Sequence, residues 1–592
     1  MANDSNKFSK GIGLINSVWE RIKSFLAPAA DPASARPAPP PGAAPWAGAS
    51  ASPQAEPTAE NKADTSARPK SEDNATPRPD TASGSDVQAT TNNSNPGEKD
   101  KGARQMSKIT GISEVRRYFR NNKDPIYFIS ATNFNLLGIG DWVSNFKHIN
   151  YLDCFDGRQK NVFVPKEKFP REFESIEDIN NYLLEHKEVI DYLMTKGGKG
   201  TAAFLMFDER TEEICKQLGL RIAFPPAALR NRMDNKIETV RIGNKVGVPS
   251  VPNVLAKVEN YAQLKEITKE IGSDLVIQSA FGDSGHTTYF VSNEQEYNKH
   301  ADEIEGEAEV KIMKRINCRG SAIEACATRC GTVVGPLMTE LVGFKSLTPY
   351  KGGWCGNEMF AGAFTQEIRD KAREYTFVFG EALREEGYRG YFELDFLIDM
   401  DTNEVYLGEL NPRVTGASSL TNVAAFAHSD IPLFLFHLLE FSDADFDLDI
   451  KDLNNRWSHP DSIDSWSQLV IKHTEESVDL LTQAPQSGVW KLNGDGSVAY
   501  DHYAAHPHAA ESEQEAFFLR ISGVGDFRYE GADLGILITR GRLMDDDFNL
   551  TPRATAWIEG IRAQYRGQSL ADPAVEQAAV AHGVAGGNFK IL

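Results

Sequence analysis

Long apolar runs are missing from this chain. Nowhere do about 18 hydrophobic residues follow one another, the length a membrane-spanning helix requires, so no transmembrane segment is expected. Cysteine is scarce too. Cys154, Cys215, Cys318, Cys326, Cys330 and Cys355 are six in 592 residues, too few for a disulfide framework. Cys326 and Cys330 stand four apart without histidine or further cysteine at zinc-ligand spacing. They read as buried reduced thiols of a cytoplasmic protein. Positive charge is in deficit, with 63 Lys and Arg against 84 Asp and Glu, a net −21. That balance argues against a nucleic-acid partner, whose phosphates call for concentrated Lys and Arg. Gly138-Ile139-Gly140 lacks the third glycine and the ribose-binding acid of a dinucleotide fingerprint. The polar stretch from Met1 to Lys10 leads into no cleavable apolar core, so no secretory leader is expected.

What is present falls into five segments. Residues 1–26 place Phe8, Ile12, Ile15, Trp19, Ile22 and Leu26 at helical spacing among charged residues, an amphipathic helix. Its apolar stripe in residues 8–26 is read as a docking element for a partner or the protein's own body, or as a membrane-surface contact. Residues 27–105 hold 13 of the 29 prolines in an Ala/Ser/Thr background and are expected to be disordered. From 106 to 230, short apolar runs such as Ile126–Ile129 and Ala202–Phe207 alternate with helical stretches such as Glu209–Leu218, which predicts a parallel α/β domain. Residues 231–445 mix strands (Leu275–Gln278, Thr287–Val291, Val310–Ile316, Thr332–Val334) with a helix over Gln366–Glu386. A last segment, 446–592, reads as strands at Gln468–Lys472, Gly488–Lys491, Ala516–Ile521 and Gly535–Arg540, then a helix around Ala554–Tyr565. The fold class is therefore α/β plus α+β.

The most informative stretch is Glu393-Leu394-Asp395-Phe396-Leu397-Ile398-Asp399, joined through Asp401-Thr402-Asn403 to Val405–Arg413. It predicts an antiparallel hairpin. Alternation puts Glu393 and Asp395 on one face, and Glu409, Asn411 and Arg413 on one face. Pairing would then cluster hard oxygen donors beside a guanidinium, the set that a divalent cation and terminal phosphates require.

In order along the chain, further motifs resemble the ATP-grasp superfamily. Arg232–Lys236 followed by Gly247-Val248-Pro249-Ser250-Val251-Pro252 resembles the entry to its nucleotide-binding region. Leu275–Thr287, with Gly282, Ser284 and Gly285, resembles the strand and small-residue loop that closes over ATP. Val310–Ile316 stands where the inter-lobe hinge would lie. The hairpin resembles the family's metal site. The resemblance covers about residues 124–442 and implies an ATP-grasp fold, with a pre-ATP-grasp α/β domain ahead of two gripping lobes. The region beyond 446 resembles the C-terminal domain of biotin carboxylase-type members, closest at Ala532–Gly541.

The resemblance implies these roles. Lys236, Gln278, Gly282, Ser284, Gly285, Lys314 and Ile316 would bind ATP. Asp395, Glu409 and Asn411 would ligate Mg²⁺ (or Mn²⁺), and Arg413 with Lys236 would act on the transferring phosphate. His286, Lys345, Lys351, Thr415 and Gly416 are candidate substrate contacts. The family commonly carries lysine where Gln278 stands; Gln adds no charge, which implies weaker nucleotide binding unless another cation such as Lys314 or Arg315 compensates. Cys355, in Gly352–Asn357, is read as a substrate-positioning residue and not a nucleophile, because no histidine accompanies it. The implied reaction joins a carboxylate to an amine, on small molecules or peptides, through an acylphosphate. A homo-oligomer is compatible with this. The alternatives are a carboxylase or carbamoyl-phosphate type of activity, or a nucleotide-binding scaffold. Biotin carboxylases carry a Glu-His pair shortly after the arginine, where this chain reads Gly416-Ala417-Ser418-Ser419, and no Met-Lys-Met biotin site occurs.

Overall fold

The computed structural model describes residues 108–167, 173–282, 287–424 and 430–569. The amphipathic leader, the proline-rich segment and residues Ser284, Gly285 and His286 lie outside the described residues. Among the described residues no helix is long and apolar enough to cross a membrane.

The first folded region is a five-stranded parallel sheet in the order β3-β2-β1-β4-β5. Its strands are β1 (Ile126–Ser130), β2 (Phe146–Asn150), β3 (Val162–Phe163), β4 (Gly200–Phe204) and β5 (Leu220–Ile222). Every residue of β1 is buried, as a central parallel strand covered on both faces must be. The helix Glu209–Leu218 begins at an Asp208 capping box and ends at Gly219 in the left-handed region.

A small antiparallel sheet follows, ordered β6-β9-β7-β8. It contains β6 (Asn253–Ala256), β7 (Leu275–Gln278), β8 (Thr288–Val291) and β9 (Val310–Lys314). Its core is compact and includes Val258, Leu264, Leu275, Ile277, Val291, Tyr297, Ile304, Val310 and Ile312.

The third region is a ten-stranded sheet. One half is β14 (Val405–Asn411), β13 (Gly390–Asp399), β10 (Cys318–Thr328), β11 (Gly331–Val342) and β12 (Trp354–Met359). The other half continues with β15 (Trp466–Lys472), β21 (Asp533–Arg540), β19 (Glu515–Arg520), β17 (Gly488–Leu492) and β18 (Val498–His502). Three further strands, β16 (Asp479–Gln483), β20 (Phe527–Arg528) and β22 (Arg566–Ser569), form a separate small sheet.

The ten-stranded sheet runs across the expected boundary at 445/446. Strands β12 and β15 pair directly, with Gly356 opposite Leu469. Gly356 sits at φ +139°, and a Cβ there would overlap the Gln468 carbonyl. Glycine thus lets the two halves meet as one hydrogen-bonded surface. Helix Gln366–Glu385 lies along β11 and β10, burying Ile368, Ala372, Phe379 and Leu383 against them.

Candidate active site

Strands β13 and β14 form the expected hairpin, with Glu393 opposite Asn411. The pairing shifts between Leu394 and Phe396, a bulge that turns Asp395 toward Gly408 and Glu409. Gly408 is required there, because a Cβ would press on the Asp395 carbonyl. Asn411 Nδ2 donates to Asp395 Oδ2 at 3.1 Å and to Glu393 Oε2 at 3.3 Å, and Arg413 Nη2 donates to Asn411 Oδ1 at 2.8 Å. Asp395, Glu409, Asn411 and Arg413 all line one cavity of about 540 Å³.

Below this cluster lies a carboxylate with no counterpart in the sequence reading. Glu324 of β10 is fully buried opposite Glu393. It accepts hydrogen bonds from the Tyr391, Thr415 and Ser418 hydroxyls. Thr415 also donates to Glu393. The turn after Arg413 is thereby tied to the sheet, which fixes Thr415, Gly416 and Ala417 against the cavity. Burial holds the Glu324 carboxyl above its usual range, and its hydroxyl donors work against that shift.

The cations arrive from two other elements. Asn235 caps the helix Lys236–Val246, accepting from Ile237 N and Glu238 N, so Lys236 is its first residue. Lys236 Nζ meets Glu409 Oε2 at 2.8 Å and the Gly282 carbonyl at 2.9 Å. The second cation is Lys311 of β9. It pairs across the sheet with Gln278 of β7, so both side chains share a face. Lys311 Nζ donates to the Gly408 carbonyl at 2.8 Å, and both residues line the cavity. Burial pushes its ammonium down to about 8, with Glu409 opposing that shift.

Lys314 and Arg315, the cations named as alternatives to a lysine at 278, both line a second cavity and not the first. Arg315 turns to Phe290 and Asp274. Lys314 is exposed and lines, with Ile316, this second cavity of about 600 Å³. That cavity adjoins the first through Gln278, Thr288, Met313, Cys318 and Leu397, which line both. A lysine thus stands directly across from position 278, on the same cavity.

Of the other predicted residues, Gly282, Thr415 and Gly416 line the first cavity. Lys345 and Lys351 are exposed between β11 and β12 and line neither cavity, Lys351 lying over the Phe290 ring. Their spacing placed them in a loop but gave no direction. The positioning role for Cys355 is also corrected. It lies on β12, not in a loop, faces the core, and donates to the Leu341 carbonyl at 3.2 Å. Burial pushes its thiol up to about 12, far from thiolate reactivity. Its neighbours Trp354 and Asn357 face the cavity instead, together with Glu340 of β11. The sequence reading missed Lys311, Glu340, Trp354 and Asn357. Alternation was the available signal, but the faces of long, small-residue strands are ambiguous without a register.

Electrostatically the floor is overloaded with acid. Glu393 is held well above the usual carboxylate range first by burial and then by Glu324 and Glu340, and Asp395 first by burial and then by Glu393, Glu340 and Glu409. Glu340 is pushed up to about 7 by burial and the Glu409 carboxylate. Hard oxygen donors in this excess suit an added divalent cation. Among the described residues no group of three His, Cys, Asp or Glu closes on one point. That suits Mg²⁺, which is usually held by one or two carboxylates plus phosphate oxygens and water, better than an all-protein cage. The set fits such an ion.

No family model matches the chain. A curated relative, the 2-oxoglutarate carboxylase small subunit of Hydrogenobacter thermophilus, is 24% identical over 135 residues, 22% of this chain. The chain spans 28% of that relative's length. Among solved structures, biotin carboxylase of Campylobacter jejuni in a complex with β,γ-ATP superposes with a TM-score of 0.51 at 15% identity, over 75% of this chain and 92% of that one. Rhizobium etli pyruvate carboxylase gives 0.50 at 14% identity, over 77% of this chain and 38% of that one. The fold is similar to that of biotin carboxylase.

Proposed function

We propose that this chain is an ATP-dependent carboxylate–amine ligase that forms an amide through an acylphosphate and releases ADP and phosphate. The observation that carries it is the convergence of Lys236, Lys311, Asp395, Glu409, Asn411 and Arg413 on one cavity. The adjoining cavity along Met313–Ile316 takes the adenine, and Lys236 and Lys311 hold the phosphates. Asp395, Glu409 and Asn411 would hold Mg²⁺ (or Mn²⁺), which supplies Lewis-acid neutralisation of phosphate charge.

Arg413 has a buried Nε without a partner. Its planar fork suits the γ-phosphoryl group as it moves from ADP to a substrate carboxylate oxygen. An amine then attacks the acyl carbon, phosphate leaves, and the nitrogen's protons pass to solvent. The protein contributes positioning and fixed charge, and no side-chain nucleophile is needed.

Carboxylation is the second reading, because the fold is that of biotin carboxylase. Against it, Ala417 stands in the cavity wall where those enzymes carry a carboxylate. The test is a phosphate-release screen of carboxylates with amines or with bicarbonate, products identified by mass. Amine-dependent turnover is expected, and Glu409→Ala and Asn411→Ala should each lower it at least about 100-fold, the scale of removing one preorganised charge contact. Turnover with bicarbonate and not with amines would sink the ligase reading.

A further inference from the structure

One part of the cavity is not used by the roles above. Glu340 projects from β11 over Gly320 of β10, where a Cβ would collide with its carboxylate. Opposite it on β12 stands Asn357. Asn357 is 1% exposed, and its Nδ2 is buried without a hydrogen-bond partner. Its amide orientation follows from its neighbour. The Trp354 indole N–H, a donor only, gives its proton to Asn357 Oδ1 at 3.0 Å, which leaves Nδ2 as the free end. The outer edge of the Trp354 ring lies against Gly416, where a Cβ would overlap it.

Glu340 has no Lys, Arg or His within ion-pair distance among the described residues, whereas Glu409 is bound to Lys236. Its strand stands two strands from that of Asp395, roughly 10 Å at ordinary strand spacing, although its charge still acts on Asp395 and that of Glu409 on it. A carboxyl group without an ion-pair partner and an unpartnered amide donor thus sit side by side, with directly opposed Cβ atoms about 5 Å apart. The Asn357 amide is buried, and a buried donor left without a partner is costly, whereas the partly exposed Glu340 opens to the cavity.

We propose that Glu340 and Asn357 form the subsite for the amine substrate and select its class: a cationic primary amine with a carbonyl oxygen next to it, as in an amino-acid amide or a peptide N-terminus. Glu340 accepts from the ammonium, Asn357 Nδ2 donates to the carbonyl, and the Trp354 ring walls the carbon skeleton. This rests on the ligase reading. It differs from a metal role, in which Glu340 would touch no substrate nitrogen.

The probes are glycinamide, ethylammonium, which lacks the carbonyl, and propionamide, which lacks the charge. Binding is measured by calorimetry on the full chain loaded with Mg²⁺ and a non-hydrolysable ATP analogue. Glycinamide should bind at least tenfold more tightly than either truncated probe. Glu340→Gln should weaken glycinamide at least tenfold and leave ethylammonium and propionamide indistinguishable. Asn357→Ala should weaken glycinamide several-fold and ethylammonium not at all.

Nucleotide affinity is measured on the same samples. Failure of the parent chain to bind Mg²⁺-nucleotide overturns the ligase reading itself. Nucleotide binding without glycinamide binding, or with equal glycinamide binding in Glu340→Gln, overturns the subsite alone. Loss of Mg²⁺-nucleotide in Glu340→Gln as large as in Glu409→Ala would place Glu340 with the metal ligands and also overturn it.

Discussion

The four-stranded and the ten-stranded sheets face the same cavity but bring opposite charge to it. The ten-stranded sheet supplies Glu340, Glu393, Asp395 and Glu409, whereas β9 of the small sheet supplies Lys311. They also differ in how they are held. The small sheet packs on its own short core, while β10, β11 and β13 are covered by the helix Gln366–Glu385 on one side and by the segment Phe434–Glu440 on the other. The links between the two include Lys311 to the Gly408 carbonyl and the bridge of Ser250 to Leu407. The small sheet, with its own short core, brings one lysine to the acidic floor, and regions with separate cores differ in local stability.

The sharpest way to break this comparison is to move the charge within the small sheet. Lys311→Gln should weaken nucleotide binding about 10- to 100-fold, as expected for a lost charged hydrogen bond of roughly 1.5–3 kcal/mol. Adding Gln278→Lys should recover most of the loss, because positions 278 and 311 are direct cross-strand partners. Titration of a fluorescent ATP analogue reads both. A double variant no better than the single would show that the cation must come from β9.

Acid should narrow the difference between the regions. His148 of β2 and His437 beside Tyr391 are buried and held near 3 by burial, against an ordinary 6.5. Neither belongs to the small sheet. The unfolded chain therefore binds additional protons between pH 6.5 and 3, so their stabilisation is complete above pH 6.5 and lost as pH falls through that window. Each should cost about 2 kcal/mol by pH 5. Urea melts at pH 7 and pH 5 check this, and His437→Gln should flatten the dependence.

The smallest effect is on dynamics. Amide hydrogens of β7 and β8 should exchange faster than those of β10 and β13 in the free protein, and Mg²⁺ with an ATP analogue should slow the former more. Equal protection in both sheets would remove the case for a difference in local stability.

How much was legible depended on the kind of strand. The hairpin could be read because Asp395, Glu409, Asn411 and Arg413 alternate with large apolar residues, so face and chemistry are visible together. Strand β10 was not foreseen. Its Gly-Ser-Ala-Ile-Glu-Ala-Cys-Ala run has weak strand propensity and is extended because β11 and β13 flank it on both edges. Glu324 and Gly320 went unnoticed with it. Lys345 and Lys351 were over-read, because a charge in a loop carries no direction until the loop is placed.

By itself the sequence determined the order of elements, the acidic hairpin, the loss of lysine at 278 and the absence of a carboxylate at 417. These are local facts, set by residue type and alternation. Only the tertiary structure decided that Lys311 stands across from Gln278 on the same cavity, that Cys355 is core, that one sheet runs through the expected boundary at 445/446, and that Glu340 and Asn357 meet. Each depends on the register between strands far apart in the chain, and a shift of one residue would have turned every one of those side chains to the other face.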